Sequence, residues 1–185
     1  DGQYGQDSMV RDLVCVVEAL GGRRPVLVGA SMGGGTSLVA AGEDRVDATA
    51  LGLVDIAPPI EPEGVDNIRA FMYQRPEGYD TLEQVAEAIG RYQPHRKPPK
   101  NLQGLAKNLR MNEKGKYVWH WDPAFAPDTR VLTRRQERLE ACARNLKLPT
   151  LLVRGGLSDV LSEEGAKSFL ELCPDRKSTR LNSSH

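Results

Sequence analysis

The sequence predicts an α/β fold, a mostly parallel sheet flanked by helices, and three observations carry that expectation. Short apolar runs closed by breakers recur: Val26-Leu27-Val28 opened by Pro25, Leu51 to Ile56 ending at Pro58-Pro59, and Thr150 to Val153 ending at Gly155-Gly156. Runs of this length read as strands, and the second and third, lacking polar alternation, as parallel strands buried on both faces. Helical periodicity falls between them, as in βα repeats.

Taken in order, Met9, Val10, Leu13, Val14, Val16, Val17 and Leu20 recur at helical spacing over 6–20, with Asp7 or Ser8 as N-cap and Gly21 as C-cap. The Val26 run passes through small residues into helix-compatible Thr36 to Ala41. After Gly156 a helix is expected over 163–173, with Ser162 as N-cap and Glu163 and Glu164 favourably placed in its first turn.

Residues 57–145 differ in character: helices of mixed polarity separated by Pro-rich and Gly-rich breaks, among them Gln93 to Pro99. Thr81-Leu82-Glu83-Gln84 has capping-box form, and a charged helix is expected over 130–145, solvated on one face. The resulting division is 1–56 as the first part of a core, 57–145 as an inserted helical module, 146–175 as the later part of the core and 176–185 as a non-native tail. That tail shows no period, supplies no strand and is left out of the fold reasoning.

A chain of 185 residues has one-domain length. Its 25 basic and 25 acidic side chains cancel, so no overall field draws it to nucleic acid or to an anionic membrane, and a small neutral molecule is the expected partner. Cys15, Cys142 and Cys173 are odd in number and far apart, which fits neither a disulfide framework nor a metal knuckle and favours a cytoplasmic setting without metal or cofactor. No apolar run has membrane-span length, and the opening residues, which do not begin with Met, lack signal-peptide form.

The chemistry centres on Gly29-Ala30-Ser31-Met32-Gly33, which follows a strand and precedes a helix. That context turns Gly-x-Ser-x-Gly into a nucleophile elbow: Ser31 on a strained turn, Gly29 and Gly33 small so that strand and helix approach closely, and the Met32 amide as an oxyanion donor at the helix start. Two other readings stand beside it. A glycine-rich turn can serve packing alone, and Gly29 to Thr36 follows a phosphate loop except that Gly35 replaces the lysine that would reach the phosphates.

A serine nucleophile needs a base and an orienting carboxylate. Asp159, just past the third strand, is the expected acid, against the alternative of an Asx-turn or helix start. Asp55, at the end of the second strand, is the fallback acid or a turn residue before Pro58. Of three histidines, His95 falls in a Pro-rich loop, His120 in the insertion, and His185 lies 26 positions after Asp159 with no strand to carry it. The base is therefore expected in the natural C-terminal part, which this chain is expected to lack.

At the elbow and Asp159, with Leu53 to Pro58 and Trp119 to Pro123 in support, the chain resembles the α/β-hydrolase superfamily, in its esterase, lactonase and cofactor-free haloperoxidase group, over about residues 1–175. The resemblance implies a partial α/β-hydrolase fold with an inserted helical cap over 57–145, truncated at both ends. Serine rather than aspartate at position 31 argues against dehalogenase or epoxide hydrolase activity. What remains is an ester, thioester or lactone hydrolase working through an acyl-enzyme at Ser31, with Trp119 and Trp121 as candidate substrate contacts, although such tryptophans also serve as packing anchors. A haloperoxidase-like enzyme and a non-catalytic ligand-binding protein of the same fold are the alternatives. This chain by itself is expected to be inactive.

Overall fold

The computed structural model describes residues 4–95, 101–125, 132–173 and 176–181. In chain order the elements are α1 (Gln6–Ala19), β1 (Val26–Ala30), α2 (Met32–Gly42), β2 (Ala50–Val54), α3 (Pro62–Tyr73), α4 (Leu82–Tyr92), a 3-10 helix (Leu102–Asn108), β3 (Leu109–Met111), β4 (Tyr117–Trp119), α5 (Leu132–Asn145), β5 (Thr150–Gly155), α6 (Glu163–Leu172) and β6 (Arg176–Leu181). They divide into two compact units, one of Gln3–Val65 with Asp128–His185 and one of Asp66–Pro127.

The first unit is built on a wholly parallel sheet of order β1-β2-β5-β6. Leu27, Leu51, Leu53 and Leu152 project to one face and are buried beneath α2 and its neighbours α1 and α5. On the other face Val26, Val28 and Leu151 are exposed, so β5 is not the doubly buried strand its apolar run suggests. Among the strands whose burial is described, β2 alone is buried through its middle, although β5 is flanked on both edges as well.

The tail yields a clear correction: Arg176–Leu181 pairs in parallel with β5 as the sheet's outer strand. Its Lys and Arg content hides the strand from hydropathy.

Helix ends follow capping chemistry with two adjustments. α1 starts from Gly5 without a side-chain cap, because Asp7 lies in the first turn and pairs with Arg138 at 2.7 Å and Ser8 accepts from Arg11 at 3.1 Å. It ends at Leu20, and Gly21, φ 96°, follows in a Schellman turn in which Gly21 and Gly22 N–H donate to Glu18 and Val17 O. α6 meets its expectation, the Ser162 hydroxyl accepting from Gly165 N–H at 3.0 Å.

α2 is made of Met-Gly-Gly-Gly-Thr-Ser-Leu-Val-Ala-Ala-Gly, a weak helix former, and is buried from Gly34 to Gly42. Packing therefore holds it rather than propensity. Its small residues let α5 come close: a Cβ added at Gly42 would meet Cys142 Cβ at 2.5 Å. α5 in turn buries Leu139, Cys142, Ala143 and Leu146 in the first unit's core. Burial there pushes the Cys142 thiol up to about 11.

In the second unit Thr81 caps α4, its hydroxyl accepting from Gln84 N–H at 3.3 Å. Gln84 reaches back to the N–H of Asp80 rather than Thr81, one residue off the full capping box. The unit also contains an antiparallel β3–β4 ribbon that helical periodicity did not signal. Its turn is chemically explicit: Asn112 Oδ1 accepts from Lys114 and Lys116 N–H, and Gly115 adopts φ 71°. Tyr79, Val85, Ala88 and Leu109 form this unit's small core. Among the described residues no helix is long and apolar enough to cross a membrane.

Candidate active site

Ser31 joins β1 to α2 with φ 48° and ψ −120°, a conformation that costs a non-glycine residue about 1–3 kcal/mol. It is fixed by its surroundings. Its N–H donates to Val54 O at 3.1 Å, extending the β1–β2 ladder, and its C=O accepts from Gly35 N–H at 3.0 Å, opening the helix. A serine at a helix start ordinarily turns its hydroxyl onto a first-turn N–H. Here it makes no such bond, and Ser31 is exposed at the carboxyl edge of the sheet.

The first-turn N–H groups of α2, beginning with Met32, have no acceptor within the helix and point outward at its positive end. An oxyanion formed on a group attached to Ser31 would lie beside them. Met32 itself is exposed.

The glycines divide the steric work differently from the motif. A Cβ at Gly29 would stand 2.4 Å from the carbonyl carbon and oxygen of Gly33, and one at Gly34 would stand 2.4 Å from Ile56 Cγ2 and 2.7 Å from Gly29 O. A Cβ at Gly33 would meet no heavy atom within 4 Å. The close approach thus requires Gly29 and Gly34; Gly33 contributes its backbone and needs no small side chain.

Asp159 lies in the loop from β5 to α6, on the same carboxyl edge, and is exposed. The turn chemistry open to it is done by its neighbour: Ser158 Oγ accepts from Leu161 N–H at 3.1 Å. Among the described residues nothing binds the Asp159 carboxylate.

The loop itself is tied from three sides. Arg154 Nε donates to Leu161 O at 2.8 Å, Glu61 N–H donates to Val160 O at 3.1 Å, and Gly64 in the first turn of α3 lies so close that a Cβ there would stand 2.2 Å from Asp159 O.

Asp55 is tied to the neighbouring strand. It sits at φ 55° just past β2, in register beside Ser31, and its Oδ1 accepts from Gly155 N–H at 2.9 Å. Its carboxylate therefore clamps the end of β5, where the Asp159 loop begins. This bridge and the parts of Arg154 and Gly64 were missed from sequence; the only trace of the bridge there is an aspartate at a strand end before a Pro-Pro pair.

The remaining candidates fall outside the described part of the first unit. His95 and His120 are exposed and belong to the second unit, and His185 lies outside the described residues. Trp119 and Trp121 stack on each other at 4.8 Å in that unit, with Phe71 5.4 Å from Trp119 and Tyr79 edge-on at 6.4 Å. No cluster of potential metal ligands occurs among the described residues.

A parallel sheet with a strained serine between strand and helix defines an α/β-hydrolase. The chain belongs to the family described as serine aminopeptidase, S33, whose model matches residues 3–183. It is 26% identical over 172 residues to a 3-hydroxybutyrate-oligomer hydrolase of Cupriavidus necator, covering 87% of this chain and 58% of that protein. Among solved structures it resembles E-2-(acetamidomethylene)succinate hydrolase, with TM-score 0.77, 21% identity, and coverage of 97% of this chain and 66% of that one. An esterase of M. tuberculosis aligns with TM-score 0.70 and 21% identity over 100% of this chain and 63% of its own. The chain thus spans about three fifths of the length of the proteins it matches.

Proposed function

We propose that the protein is a serine hydrolase of small esters, thioesters or lactones that works through an acyl-enzyme at Ser31. The observation that carries this reading is the left-handed Ser31 backbone joined to an exposed hydroxyl that caps nothing. The names of the relatives, an oligomer hydrolase and an esterase, agree with acyl chemistry.

In the proposed reaction Ser31 Oγ attacks the acyl carbonyl while a histidine accepts its proton; the described residues of the first unit contain no histidine. The oxyanion forms beside the Met32 N–H, a donor worth about 100-fold to 1000-fold in turnover. Collapse expels the alcohol or thiol, which takes the proton from the histidine, and water then releases the acid by the same route. Asp159 orients the histidine. We assign the second unit, which lies within the 57–145 insertion, to the cap, and Trp119 and Trp121 to substrate binding.

The test is covalent labelling of the intact parent protein with a fluorophosphonate. The label is expected on the peptide bearing Ser31 and is lost in Ser31→Ala. A folded parent that takes no label at Ser31 removes the nucleophile.

A further inference from the structure

α5 buries one stripe, Leu139, Cys142, Ala143 and Leu146, and the stripe extends one turn back to position 135. There stands an arginine. Arg135 is half-buried, and its Nε is buried without a hydrogen-bond partner. Burial lowers its pKa. The other α5 arginine on this side is served, since Arg138 pairs with Glu43 and Asp7; Arg154 on β5 has a buried Nη1 without a hydrogen-bond partner, but its Nε donates to Leu161 O and Glu163 stands 3.7 Å away. A leucine or methionine would continue the stripe without burying part of a charged group, and no described carboxylate pairs with this guanidinium, so it is open to an anion from outside the chain.

Its position says where that anion would be. α2 leaves the carboxyl end of β1 and α5 leads to the start of β5, so both run from the carboxyl edge toward the opposite edge. Gly42 abuts Cys142, and Leu139 shares a small void with Gly34, Gly35, Leu38 and Ile56. One turn before Leu139, Arg135 is therefore level with the first turn of α2, which Ser31 opens. Packed helices lie about 8–10 Å apart.

We propose that Arg135 binds a carboxylate on the acyl part of the substrate, making this a hydrolase of anionic esters such as short dicarboxylic acid monoesters; the proposal rests on Ser31 as nucleophile. A planar guanidinium can take a carboxylate through two parallel hydrogen bonds, which fixes the acyl chain as well as attracting it.

The test uses the intact parent with two p-nitrophenyl esters of equal chain length, the hydrogen glutarate and the pentanoate. In Arg135→Met the ratio of kcat/KM for the anionic over the neutral ester is expected to fall on the order of 10- to 100-fold, mainly through KM. Arg135→Lys restores part of it. Free glutarate should raise the melting temperature of the wild type and not of Arg135→Met, whose own fold methionine preserves. An equal loss on both esters, or equal stabilisation of both proteins by glutarate, overturns the proposal. If Ser31→Ala leaves both turnovers intact, the nucleophile assignment fails instead, and the glutarate comparison still judges Arg135.

Discussion

Gly29→Ala and Gly33→Ala look alike in the motif and should behave oppositely in the protein. The methyl that Gly29→Ala adds would lie 2.4 Å from Gly33 C and O and 2.5 Å from Gly34 N, about 1 Å inside ordinary contact. The obstacle is backbone, which cannot rotate aside, so α2 must retreat from β1. Overpacking of this kind costs about 3 kcal/mol, the upper end of its usual range. For a chain of 185 residues that lowers the melting temperature by about 6–12 °C. The methyl that Gly33→Ala adds meets nothing within 4 Å, and that variant gains up to about 1 kcal/mol from the reduced freedom of its unfolded chain. Urea unfolding of the two variants, with m-values compared to exclude a change in the unfolded state, measures the difference. Midpoint stabilities within about 0.5 kcal/mol of each other, or a less stable Gly33→Ala, would refute the close-approach argument.

Three further outcomes follow from the same geometry. Ser31→Gly removes left-handed strain that Ser31→Ala keeps, so it should be about 1 kcal/mol more stable than the alanine variant by urea denaturation; equal midpoints would mean that the strain is small. Asp55→Ala orphans Gly155 N–H and should lose about 1–3 kcal/mol, whereas Asp55→Asn keeps an acceptor and a side chain tolerant of positive φ; indistinguishable midpoints would remove the clamp. The Arg138 guanidinium holds the Glu43 carboxyl below its usual value, so the stabilisation is present above the unfolded pKa of about 4.3 and is lost as pH falls through the lower folded value. The stability gap between wild type and Glu43→Gln should therefore shrink below about pH 4.5, and a gap unchanged down to acid pH contradicts the assignment.

Elements whose signal is local were legible in the sequence. The apolar period of α1, the Ser162 cap of α6 and the order strand, turn, helix around Ser31 all appear where the residues place them. The rest depends on contacts between distant segments. β6 is stabilised by backbone pairing with β5, for which Arg-Lys-Ser-Thr-Arg-Leu gives no hydropathic cue. The exposed face of β5 depends on which side the helices occupy, and the apolar run carries no such information. Gly33 and Gly34 are indistinguishable as letters; only the approach of Ile56 and of Gly29 decides which of them cannot bear a side chain.

Backbone strain gives the strongest discrimination at the carboxyl edge. Among the described residues three that are not glycine have positive φ: Ser31, Asp44 and Asp55. Asp44 ends α2 in a Schellman turn, with its own N–H and that of Arg45 donating to Ala41 and Ala40 O, so its conformation is offset by hydrogen bonds. Asp55 is offset by its bond to Gly155 N–H. Ser31 has no comparable return: its backbone bonds would form equally well with glycine, and its side chain caps nothing. A serine where glycine would be easier is the observation on which the proposed nucleophile rests, and the first-turn N–H groups of α2 beside it are where the proposed reaction would place its negative charge.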